Sequence, residues 1–214
     1  MEETPKSQPT RVEKAATVPP ANSVCVKEWS NPTPAGLVAL AVACACFFAL
    51  LTGKVSAAAM PLIGCWLLGG FAVQIIVALL DLKSGNTTGG NTFLFFCAFF
   101  MLASGLEMFM KYEAITAGSP LDGRVDGYAW AVLTVVVWLW TPAFFTKFSL
   151  LSVIVILLDA ALPLITLNDL RIMPSSLAVI PAWLLLACAA IAVYLCSAII
   201  VNTAFKKTVY PLPK

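Results

Sequence analysis

The chain alternates between long apolar runs and short polar segments. Six of the runs approach or exceed the roughly 20 residues that an α-helix needs to cross a hydrocarbon core of about 30 Å. Because these runs are continuous rather than alternating, they predict membrane-spanning helices and not the strands of a β-barrel. The predicted fold is therefore an all-α integral membrane protein with six transmembrane helices in a bundle. The runs cover residues 34–53, 58–81, 92–110, 127–145, 148–167 and 178–202.

Composition supports this prediction. Hydrophobic residues make up 60% of the 214 positions and charged residues only 11%, whereas soluble domains carry about 25% charged residues. The mean hydropathy is +0.92. A net charge of +2 without a basic stripe gives no indication of a nucleic-acid partner. The sequence has no histidine, which excludes a histidine metal site, a histidine-based catalytic triad and a histidine pH switch. We expect no cofactor and no bound metal, and the lipid bilayer as the surroundings.

The same pattern divides the chain into three parts. Residues 1–30 hold prolines and charges of both signs, and they have too little apolar surface to fold alone, so we predict a disordered polar tail. Residues 31–205 form the transmembrane domain, and residues 206–214 form a short C-terminal tail. Six spans place both termini on one side, where Lys and Arg are more numerous than on the other. The positive-inside rule therefore predicts cytoplasmic termini in a plasma or inner membrane.

A proline-rich polar motif, "NPTPAGL", precedes the first apolar run. Pro34 suits the first turn of a helix, where its missing N–H would have no partner anyway. Asn31 or Thr33 can cap the free N–H groups of that turn. The start of a helix also attracts carboxylates and phosphates. A plain helix start at the membrane boundary is the simpler interpretation, and the spacing alone leaves both open.

A second polar motif, "DLKSGNTTGGNTF" at residues 81–93, joins the second and third runs. Glycine-rich backbone together with the side chains of Asn86 and Thr87 can line a wet cavity and present N–H groups to an anion. A flexible turn with helix caps is the alternative. Taken together, the two motifs favour a polar opening on the side of the termini.

Asp159 lies in the middle of the fifth apolar run. An acidic residue at such a depth is costly, so it normally faces a cavity or a partner. Pro163, four residues later, cannot donate to the Asp159 carbonyl group, which leaves backbone polarity beside the acid. We predict that Asp159 is mostly protonated and is a candidate for proton coupling. The alternative is a structural acid that is hydrogen-bonded at a subunit contact.

These motifs resemble a known family. "NPTPAGL" is similar to the NPAPLGL signature of the acetate uptake transporters, the family of the succinate–acetate permeases. "LLDLKSGNTTGG" is similar to that family's acidic-lysine-GNT-G stretch, and "KKTVYPLP" is similar to its C-terminal close. The resemblance covers about residues 31–213. It departs from the family at Thr33, Ala35 and Thr88.

The resemblance implies a substrate path through each six-helix subunit, in a hexamer, for acetate and in some members succinate. It implies a constriction formed by large apolar side chains of the first, third and fifth helices. In this sequence the constriction falls on Leu40, Phe96 and Leu158. It also implies substrate-binding or access positions, which fall on Asn31, Thr33, Gln74, Asn86 and Thr87. Ordinary core packing is the alternative for the constriction residues.

The sequence therefore favours a permease or channel for small monocarboxylates, chiefly acetate, that crosses an apolar constriction, with succinate as a further candidate substrate and proton coupling as a further candidate property. Within transport, the alternatives are ammonium, formate or other dicarboxylates as cargo. A multispan scaffold without a pore is the alternative from another class. An enzyme is not expected, because no nucleotide-binding loop or nucleophile constellation is present.

Overall fold

A computed structural model describes residues 30–119, 121–146 and 149–213. The tail predicted for residues 1–30 thus lies almost wholly outside the described residues. The described part contains seven α-helices, one π-helical segment and two short 3₁₀ turns. In chain order these are α1 (Thr33–Leu51), the 3₁₀ turn Ala57–Ala59, α2 (Met60–Lys83), α3 (Thr87–Phe95), the π-helical segment Phe96–Ala103, α4 (Ser104–Ala117), α5 (Arg124–Phe144), α6 (Leu150–Asp169), the 3₁₀ turn Ser175–Ala178 and α7 (Val179–Phe205).

Six helices in the described ranges are long and apolar enough to cross a membrane, as predicted. The third span is one continuous helix, Thr87–Ala117, made of α3, the π-helical segment and α4. It is longer than the predicted run of 92–110. Its first turn is polar, and hydrophobicity alone therefore placed the start too late. We call the end of the bundle where α1 begins the proximal end, and the opposite end the distal end.

The six spans form a closed ring in which each helix packs on its neighbours in the sequence, and α7 returns to α1. Direct packing joins α1 to α2, α2 to the third span, α5 to α6, α6 to α7 and α7 to α1. Side chains close the remaining contact, between the third span and α5. The rings of Phe95 and Trp140 are 6.0 Å apart, and those of Phe100 and Trp130 are 6.1 Å apart. The interior of this ring is therefore shared by all six spans.

Glycines permit the closest approach between helices. A Cβ atom at Gly64 of α2 would lie 2.8 Å from the backbone oxygen of Gly105 in α4 and 2.6 Å from the ring of Phe109. In lipid, apolar burial gives little drive for association, so close backbone packing of this kind contributes much of the stability.

A left-handed glycine and side-chain hydrogen bonds mark the ends of two helices, α4 and α7. Gly118 ends α4 in the left-handed conformation (φ 63°), which suits a residue without Cβ. In the last turns of α7, the side chain of Asn202 accepts hydrogen bonds from the N–H groups of Val209 (2.7 Å) and Tyr210 (2.9 Å), which follow the helix. The hydroxyl of Tyr194 donates to the carbonyl of Pro211 at 2.7 Å. The segment after α7 is thus folded back against it.

Candidate functional site

The three predicted constriction residues are buried within the bundle. Leu40 of α1 is 5% exposed, Phe96 of the π-helical segment 6% and Leu158 of α6 3%. All three belong to one hydrophobic cluster inside the ring of helices. They come from the first, third and fifth spans, so they approach the interior from alternate positions around the ring. We call these three residues the waist. That the waist constricts a substrate path stays a prediction.

Phe96 also begins the π-helical segment. Wide helical turns of this type are rare and are frequent at functional sites. The ring of Phe96 is 5.1 Å from that of Phe95 and 5.9 Å from that of Phe100, both in edge-on contact. Phe100 in turn stacks on Phe47 of α1 at 5.3 Å. An aromatic row therefore leads from the waist toward the distal end.

This row ends at a cavity of about 210 Å³ in the distal half of the bundle. A single water needs only roughly 10–15 Å³, so the cavity can hold several waters or a small organic acid. Its wall is mostly apolar, with a polar rim. The lining residues are Phe47, Leu50, Leu51, Met60, Phe100, Ser104, Glu107, Met108, Lys111, Trp130, Ile165, Asn168, Asp169, Ala178, Pro181 and Leu185. We call it the distal cavity.

The rim of the distal cavity carries a group of charged side chains that the sequence analysis did not select. The ammonium group of Lys111 is 3.0 Å from a carboxylate oxygen of Glu107 and 2.7 Å from one of Asp126. Asp169 is close enough to interact electrostatically with all three. The spacing of Glu107 and Lys111, four residues apart on a helix, was a signal for the first pair. Asp126 and Asp169 are on other helices and left no such signal.

A second charged pair lies beside this group. Arg124 donates to Asp122 from Nε at 2.9 Å and from Nη2 at 2.7 Å. These hydrogen bonds lower the pKa of Asp122 to about 2. Asp122 therefore stays ionised at neutral pH, and it compensates the charge of Arg124.

Gln74 is buried between α2 and α1, with 1% of its surface exposed. Its amide nitrogen donates to the carbonyl of Gly36 at 3.2 Å. Since a carbonyl can only accept, this contact fixes which end of the amide faces α1. The other end, Oε1, is buried and has no hydrogen-bond partner among the described residues. An unpaired acceptor at this depth is costly, which makes it available to a donor group of a passing molecule.

The first polar motif begins α1 at the proximal end. Asn31 accepts a hydrogen bond from the backbone N–H of Thr33 at 3.0 Å, and the carbonyl of Pro32 accepts from Ala35 at 3.1 Å. Pro34 lies in the first helical turn, where the sequence placed it. Part of this helix start is therefore capped by the chain itself.

The second polar motif begins α3. Asn86 caps that helix by accepting from the N–H of Gly89 at 3.0 Å, while its own N–H donates to the carbonyl of Asp81 at 2.9 Å. The Asp81 side chain is 3% exposed, and its Oδ2 has no partner among the described residues. Thr87 is exposed, and its carbonyl accepts from Asn91. A buried carboxylate near a helix start favours that helix and competes with an incoming anion.

The structure brings the two motifs together. A Cβ atom on Gly36 would lie within 2.9 Å of three atoms of the Phe93 ring. Only glycine therefore lets the start of the third span pack against α1 here. Gln74 also binds Gly36, so all three elements meet at this residue.

Asp159 lies apart from the waist. Its neighbour Leu158 is in the central cluster, whereas the Asp159 side chain contacts Thr141 of α5 at 2.7 Å. The indole N–H of Trp138 donates to the Asp159 carbonyl at 3.0 Å, where Pro163 offers no donor.

The Thr141 hydroxyl group lies between two acceptors, Asp159 Oδ2 and a backbone carbonyl oxygen. The Thr141 hydroxyl oxygen is 2.7 Å from Asp159 Oδ2 and 2.9 Å from the carbonyl oxygen of Val137. One hydroxyl has one proton. The hydroxyl donates this proton to Asp159 Oδ2, to the Val137 carbonyl oxygen, or to both in a bifurcated hydrogen bond. That Asp159 is mostly protonated stays a prediction.

Comparisons with known proteins bear on the fold. No protein-family model and no curated protein matches the sequence. A solved structure does match, the structure of the bacterial acetate channel SatP. The two superpose with a TM-score of 0.70 over 86% of this chain and 99% of that chain, at 19% sequence identity. This chain has the fold of that channel.

The comparison confirms the predicted fold class, an all-α integral membrane protein with six spans. It also agrees with the resemblance to the acetate uptake transporters that the motifs suggested. The solved structure that shares this fold is that of a channel.

Proposed function

We propose that this chain is a membrane channel or permease for small monocarboxylates, chiefly acetate. The observation that carries the proposal is the waist: three large apolar side chains of alternate spans, buried together inside a closed ring of helices. The fold shared with an acetate channel supports it. The proposed path runs from the two polar motifs at the proximal end, past the waist, along the aromatic row and into the distal cavity.

The chemistry of the path favours a small acid that crosses the waist either as the undissociated, neutral molecule or as an anion that loses part of its hydration shell there. A bare carboxylate is costly to move out of water, and an apolar ring also closes by excluding water. An undissociated acid avoids most of this cost. The free Oε1 of Gln74 is an acceptor that suits the O–H of such an acid, and it would repel a carboxylate oxygen. We therefore propose Gln74 as a contact for the neutral acid near the waist.

Labelled acetate uptake by the purified protein in liposomes tests the function. We expect uptake that saturates or that follows the acetate gradient, well above protein-free liposomes. Propionate, formate and ammonium as competitors distinguish the cargo, because a monocarboxylate path is inhibited by propionate and not by ammonium. A scaffold without a pore would give no uptake above the empty liposomes, and the proposal would then be withdrawn.

We propose that Asp159 exchanges a proton during transport, since its carboxyl group lies within a membrane-spanning helix and has the Thr141 hydroxyl, 2.7 Å away, as a hydrogen-bond partner. Asp159→Asn keeps the shape and can donate to Thr141 but cannot release a proton. We expect the variant to fold and to lose much of the increase in acetate uptake that an inward proton gradient produces. The measurement is acetate uptake between about pH 5.5 and 7.5 with and without that gradient. Unchanged pH dependence in Asp159→Asn would remove the proton role.

We also propose a homo-oligomer, a hexamer by resemblance, in a plasma or inner membrane with cytoplasmic termini. Many large apolar side chains face outward from the single chain, among them Leu62, Trp66, Val132 and Leu139. Such surfaces suit lipid or a second subunit. Native mass spectrometry of the protein in detergent would give the subunit number, and protease access to either tail in oriented vesicles would give the topology.

A further inference from the structure

The distal cavity contains a cation that is already neutralised. Among the described residues that line the cavity, Lys111 is the one positively charged side chain. Its ammonium group is held by Glu107 at 3.0 Å and by Asp126 at 2.7 Å. Charge-assisted contacts at these distances are strong, so two of its three N–H donors are occupied. An incoming carboxylate finds no free positive charge there.

Asp169 adds a third carboxylate to the same rim. It lines the cavity together with Glu107 and Lys111. Its one hydrogen bond among the described residues is a long contact of 3.5 Å from Asn168, and it is not within ion-pair distance of a described cation. With the carboxylates ionised, the rim has an excess of negative charge.

The other described cations of the distal end do not line the cavity. Arg124 is paired with Asp122. Lys54 lies over the ring of Phe48, and neither Lys54 nor Arg171 is among the residues lining the cavity. Arg171 is exposed and lines a separate, more open recess, which Lys111 also lines.

We infer that the charged rim of the distal cavity excludes dicarboxylates and restricts the chain to acids with one charge or none. The inference rests on the proposed function and narrows its substrate class. Repulsion grows in proportion to the charge of the solute, so a dianion is opposed twice as strongly as a monoanion by the same rim. The apolar wall, with Phe47, Met108 and Ile165, accepts the alkyl part of a monocarboxylate.

The test compares two acids of equal length and different charge. Succinate and butyrate each have four carbons, and at neutral pH succinate carries two negative charges and butyrate one. Each is added as an inhibitor of labelled acetate uptake by the purified protein in liposomes. We expect succinate to inhibit at concentrations at least about tenfold higher than butyrate. Inhibition is measurable even for an acid that enters the cavity and does not cross the waist.

Neutralising one carboxylate of the rim should weaken this discrimination. In Asp169→Asn and separately in Glu107→Gln, we expect the half-inhibitory concentration of succinate to fall about three- to tenfold relative to that of butyrate. High salt should reduce the difference between the variants and the parent, since exposed charges are screened. Two positions are used so that a folding defect in one variant leaves the other informative.

Glu113→Gln is the matched control. Glu113 is exposed on the same helix, α4, and is not among the residues lining the cavity. The Glu113→Gln variant loses the same charge as the rim variants. We expect its ratio of half-inhibitory concentrations, succinate to butyrate, to equal that of the parent.

Equal inhibition by succinate and butyrate in the parent, or an unchanged ratio in both rim variants, would overturn the inference. In either case acetate uptake itself would persist, and the proposed function would stand. Absence of acetate uptake in the parent would instead remove the proposed function, and the inference with it.

Discussion

Replacing Phe96 by alanine is expected to raise acetate flux by about tenfold, which corresponds to a barrier lower by about 1.4 kcal/mol. Phe96 is buried at the waist, in edge-on contact with Phe95 and Phe100. Removing its ring widens the constriction and allows water to enter, and a wetted constriction conducts small acids more readily than a dry one. Larger acids such as butyrate should gain more than acetate does. The measurement is the initial rate of labelled uptake in liposomes.

The control for this experiment is a substitution that creates a void elsewhere in the core. Phe96→Ala also costs stability, roughly 3–5 kcal/mol, because a buried ring leaves a void. Leu67 of α2 is fully buried and is not one of the waist residues, so Leu67→Ala should lower the thermal stability without raising the flux. Leu40→Ala tests the waist from a second helix. If neither Leu40→Ala nor Phe96→Ala changes flux or size selection, these residues do not lie on the path.

Gly64→Ala is expected to lower the melting temperature of the purified protein by several degrees. The added Cβ would lie 2.6 Å from the Phe109 ring and 2.8 Å from the Gly105 backbone oxygen. The backbone cannot move aside without separating α2 from α4, and overpacking of this type typically costs about 1–3 kcal/mol. Thermal unfolding followed by tryptophan fluorescence or by loss of the monodisperse peak measures the effect.

Gly69 provides the matched control on the same helix. A Cβ atom at Gly69 would have no neighbour within 4 Å, and the residue is exposed on the single chain. Gly69→Ala should leave the melting temperature unchanged or raise it slightly, because alanine favours a helix over glycine by up to about 1 kcal/mol. A Gly64→Ala protein as stable as the parent would mean that α2 and α4 are not packed as closely as described.

The waist was selected from the sequence by resemblance alone, whereas the two polar motifs were selected by their own proline, glycine and capping residues. Leu40, Phe96 and Leu158 are ordinary apolar residues within apolar runs, and nothing in their periodicity separates them from their neighbours. Gln74 was selected as a substrate contact. Its unpaired Oε1 could not be predicted, because it depends on where the carbonyl of Gly36 lies across the helix interface.

The distal cavity was not predicted at all. Its rim contains Glu107 and Lys111 of α4 and also Asn168 and Asp169 of α6. Asp126 of α5 forms an ion pair with Lys111 but does not line the cavity. These residues belong to three consecutive helices, and which of their side chains meet depends on how those helices pack. From the sequence alone, Glu107 is an acidic residue near the end of a span, where it can reach water, and Asp169 is a polar residue that follows a span. Neither position indicates a shared cavity.

By itself, the sequence determined that this protein crosses a membrane six times, because runs of about 20 apolar residues have one stable arrangement in lipid, the hydrogen-bonded helix. Only the tertiary structure decided which face of each helix points inward. A helix in lipid is apolar on its outer face as well as its inner face, so hydrophobic periodicity carries little information about orientation. The positions of the waist, the free acceptor of Gln74 and the charged rim therefore follow from how six similar helices pack around one interior.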